Sequence, residues 1–148
     1  MTTTEKIRDA LTARLLELGD SAANITKVLN PVDARDPKNR PQKDGGNYAI
    51  LWTLEGRISR QQQNKVQWQQ AFAADVAIPW TDREDMETKL DRIRIQLAAC
   101  FSWPLTSIAC QKQELQDISI GYPEKGSQYA VVSAVADFTY VEELSITH

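Results

Sequence analysis

Hydrophobic positions change period several times along the chain, and each change marks an element. Ile7, Ala10, Leu11, Leu15 and Leu18 recur at helical spacing, and Thr2 with Glu5 has the spacing of a capping box, which predicts a first helix ending at Gly19. Ile25 to Leu29 is short, apolar and rich in β-branched residues, and stops at Asn30 and Pro31; it reads as a short strand. From Tyr48 the period becomes two. Tyr48, Ile50, Trp52 and Leu54 share one face and Ala49, Leu51 and Thr53 the other, both largely apolar, so this strand should be covered on both sides. Alternation resumes at Val66, Trp68, Gln70, Phe72, Ala74, Val76 and Ile78. The polar stretch Arg60 to Lys65 joins the two strands into a β-hairpin with arms of about ten residues, long enough for the tip to project.

Pro79 closes the hairpin. Thr81 with Glu84 offers a second capping box, and Met86, Leu90, Ile93, Leu97 and Phe101 follow at spacings of four and three, predicting a second helix that Pro104 blocks. Leu105 to Leu115 reads as a strand through Ile108 and Cys110; Gly121, Pro123 and Gly126 mark a turn; Gln128 to Val141 alternates again. The order α-β-β-β-α-β-β predicts an α+β domain, a mostly antiparallel sheet of about five strands packed by two helices with a long projecting hairpin.

The chain of 148 residues suits one domain over residues 1–148, and 42% hydrophobic with 25% charged residues sets it apart from disordered sequences. No apolar run is long enough to span a bilayer, and Met1 to Glu5 is polar with no signal-peptide core behind it, so a cytosolic, unprocessed protein is expected. Cys100 and Cys110 fit no disulfide framework or zinc spacing and read as buried thiols. The net charge of −3 hides an asymmetry: residues 1–74 carry 11 basic and 8 acidic side chains, residues 75–148 carry 6 and 12. Without a concentrated basic excess, nucleic acid is not the expected main ligand.

Catalytic patterns are missing from the sequence. The one histidine, His148, is a poor basis for a triad, and Glu84/Asp85, Glu114/Asp117 and Glu142/Glu143 fall where solvated charges are expected. Gly45-Gly46 lacks the Lys-Ser/Thr of a phosphate-binding loop. No enzyme activity, cofactor or metal is expected.

Two segments carry the candidate chemistry instead. Residues 31–47 hold three prolines, two adjacent glycines and Arg35, Lys38 and Arg40; they form either a flexible solvated loop or an arm that orders against a neighbouring subunit. The hairpin tip carries Arg57, Arg60 and Lys65 and the amides Gln61, Gln62, Gln63 and Asn64, groups that serve either a solvated turn or a contact with another chain. Trp80 and Trp103, beside prolines at the ends of the second helix, are candidate exposed anchors.

In element order, length and apolar pattern the chain resembles the tail terminator proteins of long-tailed bacteriophages, the family of the lambda minor tail protein U. The likeness lies in TEKIRDALTARLLEL, the polar loop before YAILWTLEG, the arm VQWQQAFAADVAI, the helix DMETKLDRIRIQLAACF and the strand QYAVVSAVADFTYVEEL, nearly the whole chain. It implies a structural protein, built in the host cytoplasm and carried in the virion tail, that forms a homo-oligomeric ring, a hexamer in the family. Such a ring stops polymerisation of the tail tube protein and presents a surface for the head-completion protein, without membrane or sequence-specific nucleic acid. Other phage neck and tail-completion proteins share the outline. The competing class is a small binding module that holds a peptide or small molecule on the sheet face or the 31–47 loop.

Overall fold

A computed structural model of the chain describes residues 1–42 and 44–146. Helix α1 (Thr3–Leu16) starts at the predicted capping box: the Thr2 hydroxyl accepts from Glu5 N at 3.2 Å, and Glu5 Oε2 accepts from Thr2 N at 3.1 Å. It buries Ile7, Leu11 and Leu15 and tightens into a 3-10 turn over Glu17–Asp20. Helix α2 (Met86–Ser102) buries Met86, Leu90, Ile93, Leu97 and Phe101, as the four-and-three spacing requires. Its cap is Asp85 rather than Thr81. The Asp85 carboxylate accepts from the Thr88 hydroxyl at 2.7 Å and from Thr88 N at 3.2 Å, bonds that hold its pKa below the ordinary value, whereas the Thr81 hydroxyl accepts from Arg83 N in a preceding turn.

Five strands form one sheet: β1 (Ile25–Leu29), β2 (Asn47–Gln62), β3 (Lys65–Pro79), β4 (Lys112–Gly121) and β5 (Tyr129–Glu143). Their spatial order, β1-β2-β3-β5-β4, departs from chain succession, and the sheet is mixed because β1 runs parallel to β2 while the other pairs are antiparallel. Both helices pack against one face, where Leu51, Phe72, Val76, Ile78, Val132, Phe138 and Tyr140 join the helical apolar stripes in a single core. The α+β class holds.

Three expectations change. Leu105 to Cys110 is not strand; β4 begins at Lys112 and runs to Gly121. Leu105 is 6% exposed, with its N–H donating to Gln113 Oε1 at 3.1 Å, and Ile108 and Cys110 are partly buried against the core. β2 is covered on one side only: Ala49 and Leu51 are buried in the helix-covered core, while Ile50 and Trp52 lie half-buried on a sheet face without a helix layer. The hairpin also does not extend alone. β5 accompanies β3 from Pro79↔Tyr129 to Lys65↔Glu143, so the projection is the end of a three-stranded sheet.

The C-terminus of α2 is closed by side chains from elsewhere. Arg14 of α1 donates to the carbonyls of Cys100, Trp103 and Pro104, and Gln113 Nε2 of β4 donates to Phe101 O and Trp103 O, both at 2.8 Å. These groups satisfy carbonyls that a helix end leaves without partners. Burial in this region also raises the pKa of the Cys100 thiol to about 11.

Candidate interaction surface

β1 pairs with β2 only over Asn47–Ile50, so beyond that point β2 is an open edge, and Thr53–Gln62 is exposed throughout. Two bulges interrupt it. Leu54 and Glu55 together oppose Ala71, and Ser59 is extra between the pairs Ile58↔Trp68 and Arg60↔Gln67. The first bulge is held from below by Gln70, itself 9% exposed, whose Nε2 donates to Leu54 O at 2.6 Å and Ala71 O at 3.0 Å. Gly56 leaves space for that carboxamide: a Cβ there would collide with Gln70 Oε1 and lie 3.0 Å from Cδ.

The tip turns at Gln63, which has φ +55°, and Asn64. Asn64 Nδ2 donates to Glu143 Oε1 at 3.0 Å, and Asn64 O accepts from Leu144 N at 2.7 Å, so the turn is tied to the end of β5. Gln61 and Gln62 pair with Val66 and Lys65. Arg60, Gln62 and Lys65 surround a hollow of about 230 Å³ together with Gln67, Gln111 and Val141. Arg57 Nε and Nη2 donate to Gln69 Oε1 at 3.0 and 2.7 Å, and Gln69 Nε2 donates to Asp137 Oδ2 at 3.1 Å, a polar ladder across β2, β3 and β5.

The loop cations lie elsewhere. Arg35 and Lys38 are exposed in two successive 3-10 turns, Asp33–Arg35 and Pro37–Asn39, whose apolar anchor is buried Ala34. Arg40 serves the loop itself: its Nε donates to Ala34 O at 2.9 Å and its guanidinium sits 5.5 Å from the Tyr48 ring centroid. The loop enters β2 at Asn47 and the tip leaves it at Gln62. Measured along β3, the pair Arg57↔Gln69 lies seven residues from Ala49↔Val76, about 23 Å, and Gln62↔Lys65 lies eleven, about 36 Å. The loop and the tip form two sites.

No protein-family model matches this chain, and neither does any curated protein. The surface must therefore be read from its own chemistry. The bare sheet face carries a second ladder, in which Asp75 accepts from Trp52 Nε1 at 3.0 Å and from the Ser133 hydroxyl at 2.6 Å. Beside these polar groups, Val131 and Val141 are exposed. The opposite edge of the sheet is β4, where Glu114, Gln116, Asp117 and Ser119 are exposed. Sequence reasoning passed over Glu114 and Asp117 as solvated charges; a displaced strand assignment hid that they sit on a sheet edge. Of the two tryptophans beside prolines, Trp103 is 68% exposed, and Trp80 is half-buried with its ring centroid 6.1 Å from that of Tyr122. Among the described residues no group of three or more His, Cys, Asp or Glu could hold a metal ion, and no helix is long and apolar enough to cross a membrane. His148 and Lys43 lie outside the described residues.

Proposed function

We propose that this chain is a ring-forming structural subunit of the tail-terminator type, which closes the end of a phage tail tube and offers a surface to a head-completion protein. The observation that carries the reading is the open ten-residue stretch Thr53–Gln62 of β2 beside a sheet face without a helix layer. A long open edge invites pairing with another chain. A ring needs two different surfaces on each copy, because head-to-tail contacts close only when they are heterologous. The likeness of the sequence to tail terminators supplies the identity of the partners and the expected hexamer. The host cytoplasm during assembly and the virion tail afterwards are the corresponding locations.

Mass by light scattering over a range of concentration and salt tests the reading, together with electron microscopy of the particles. Closed rings of one copy number, and restored tail length when the chain complements a terminator-defective phage, support it. A protein that stays monomeric throughout and leaves tail length unregulated refutes it.

A second reading, a peptide or small-molecule binding module, draws on one feature. A hollow of about 640 Å³ lies between the loop and the bare sheet face, lined by Arg40, Gln42, Asn47, Tyr48, Ala77 and Tyr129 among others. Such a module would bind its ligand as a monomer.

A further inference from the structure

The two open edges of the sheet carry matching charge patterns. On β2, Arg57 pairs with Gln69 and Arg60 with Gln67, which places both arginines on the bare face despite their three-residue spacing, because the Ser59 bulge absorbs the odd residue. On β4, Glu114 pairs with Asp137 and Asp117 with Val135, so both acids lie on that same face, and a bulge at Gln116 absorbs the odd residue there. Each edge thus presents two like charges, one bulge apart, on one side of the sheet, with Lys112 beside the acids at the start of β4. The signs are opposite.

We infer that β2 of one copy pairs antiparallel with β4 of the next, setting Arg57 against Asp117 and Arg60 against Glu114; this deepens the ring reading above and rests on it. The strand directions permit it. β2 runs antiparallel to β3, β3 to β5 and β5 to β4, so a copy placed beside β2 in the same orientation brings its β4 in antiparallel, with its helices on the same side of the sheet. The lengths agree as well: β4 has 10 residues, and the register carries it along Thr53–Gln62, the exposed part of β2. β1 ends where that stretch begins, so β1 and the incoming β4 occupy one column end to end.

The register also has the stagger that closure needs. Within one copy Arg57 is level with Gln69, Thr139 and Lys112, and Asp117 lies four pairs further along β4. Four residues are about 13 Å along the strand, and the four columns per copy span about 19 Å, giving a tilt of about 35°, within the range of closed barrels. Two contacts compete within the copy: Arg57 already bonds Gln69, and Glu114 pairs with Lys112 at 3.0 Å. Arg60 and Asp117 have no side-chain partner among the described residues.

Charge exchange on the full chain tests the pairing. Arg57→Glu with Arg60→Glu, or Glu114→Arg with Asp117→Arg, should each weaken self-association about tenfold or more at low salt, with circular dichroism unchanged. All four substitutions in one chain, or an equal mixture of the two double variants, should restore it to within about threefold of wild type. As an independent measure, a chain carrying Arg60→Cys and Glu114→Cys should oxidise under copper phenanthroline to a ladder of covalent oligomers. Neither single cysteine variant should cross-link beyond the wild-type control, which keeps Cys100 and Cys110. Association of wild type that is indifferent to every reversal, a four-substitution chain no better than the doubles, or dimers from Arg60→Cys alone would each overturn the β2–β4 pairing while leaving a ring intact. A monomeric wild type would overturn the ring reading itself.

Discussion

Gly56→Ala probes how the open edge holds its shape. The added methyl meets the Gln70 carboxamide, which is buried and bonded to two backbone carbonyls at 2.6 and 3.0 Å. Making room for it swings the amide off Leu54 O and Ala71 O. At about 0.5–1.5 kcal/mol for each hydrogen bond, the loss is about 1–3 kcal/mol. Gly56 is not among the residues with positive φ, so alanine is allowed by the backbone and recovers about 0.4–1 kcal/mol by restricting the unfolded chain. A net destabilisation of about 1–2 kcal/mol should follow. On a Gln70→Ala background the obstruction is gone, and the same Gly56→Ala change should become neutral or slightly stabilising. Urea denaturation of all four proteins at one protein concentration, followed by tryptophan fluorescence, gives the coupling energy. Equal effects of Gly56→Ala on both backgrounds would refute the account of Gln70 as the support of the bulge.

Leu90→Ala and Leu97→Ala, at sites 1% and 0% exposed, should each cost about 2–5 kcal/mol in thermal or urea melts. Arg94→Ala, which removes a surface pair with Asp91, should cost less than about 1 kcal/mol; the reverse ranking would place the helix phase in error. Arg14→Ala should cost about 1–3 kcal/mol by freeing carbonyls at the end of α2, with Arg14→Lys intermediate in the same melts. Cys100, with its thiol pKa raised by burial to about 11, should stay protonated and resist alkylation at pH 8, reacting only as pH approaches that value; rapid alkylation of the folded protein at pH 8 would count against its buried placement. Limited trypsin should cut first after Arg35 or Lys38, both exposed, and mass spectrometry of the earliest fragments shows whether it does.

What the sequence made legible follows from periodicity. The stripe through Leu90, Ile93 and Leu97 and the alternation from Val66 to Ile78 each have one periodic solution, and the structure buries those side chains, Trp68 only partly. Period two does not say what covers a strand, however. Trp52 and Ile50 look like core residues by composition, yet they lie on the bare face, where Trp52 finds Asp75 as a hydrogen-bond partner. Leu105, Ile108 and Cys110 imitate a strand because they are apolar and pack against the core without pairing in the sheet. The parallel pairing of β1 and the bulges at Ser59 and Gln116 depend on contacts between distant segments, which no local pattern encodes. The candidate site was half legible for the same reason. Arg57 and Arg60 stand out in a tip without acids, while the importance of Glu114 and Asp117 depends on which strand ends the sheet.

The position of β5 governs how this chain can fold in time. It follows every other strand in the sequence, yet it lies between β3 and β4 and brings Ala130, Val132, Ala134, Ala136, Phe138 and Tyr140 to the core. During synthesis the β2–β3 hairpin and α2 emerge first, leaving β3 with an unpaired inner edge and Phe72 without the Phe138 ring that packs edge-on 5.4 Å away. Closing that gap joins residues as far apart as Lys65 and Glu143, so loop-closure entropy should make entry of β5 a late step of folding. Until it occurs, a nascent chain exposes a second adhesive edge beside that of β2, and two such chains on neighbouring ribosomes can exchange β5 strands. If copies pair as proposed above, strand insertion within each copy has to outrun pairing between copies.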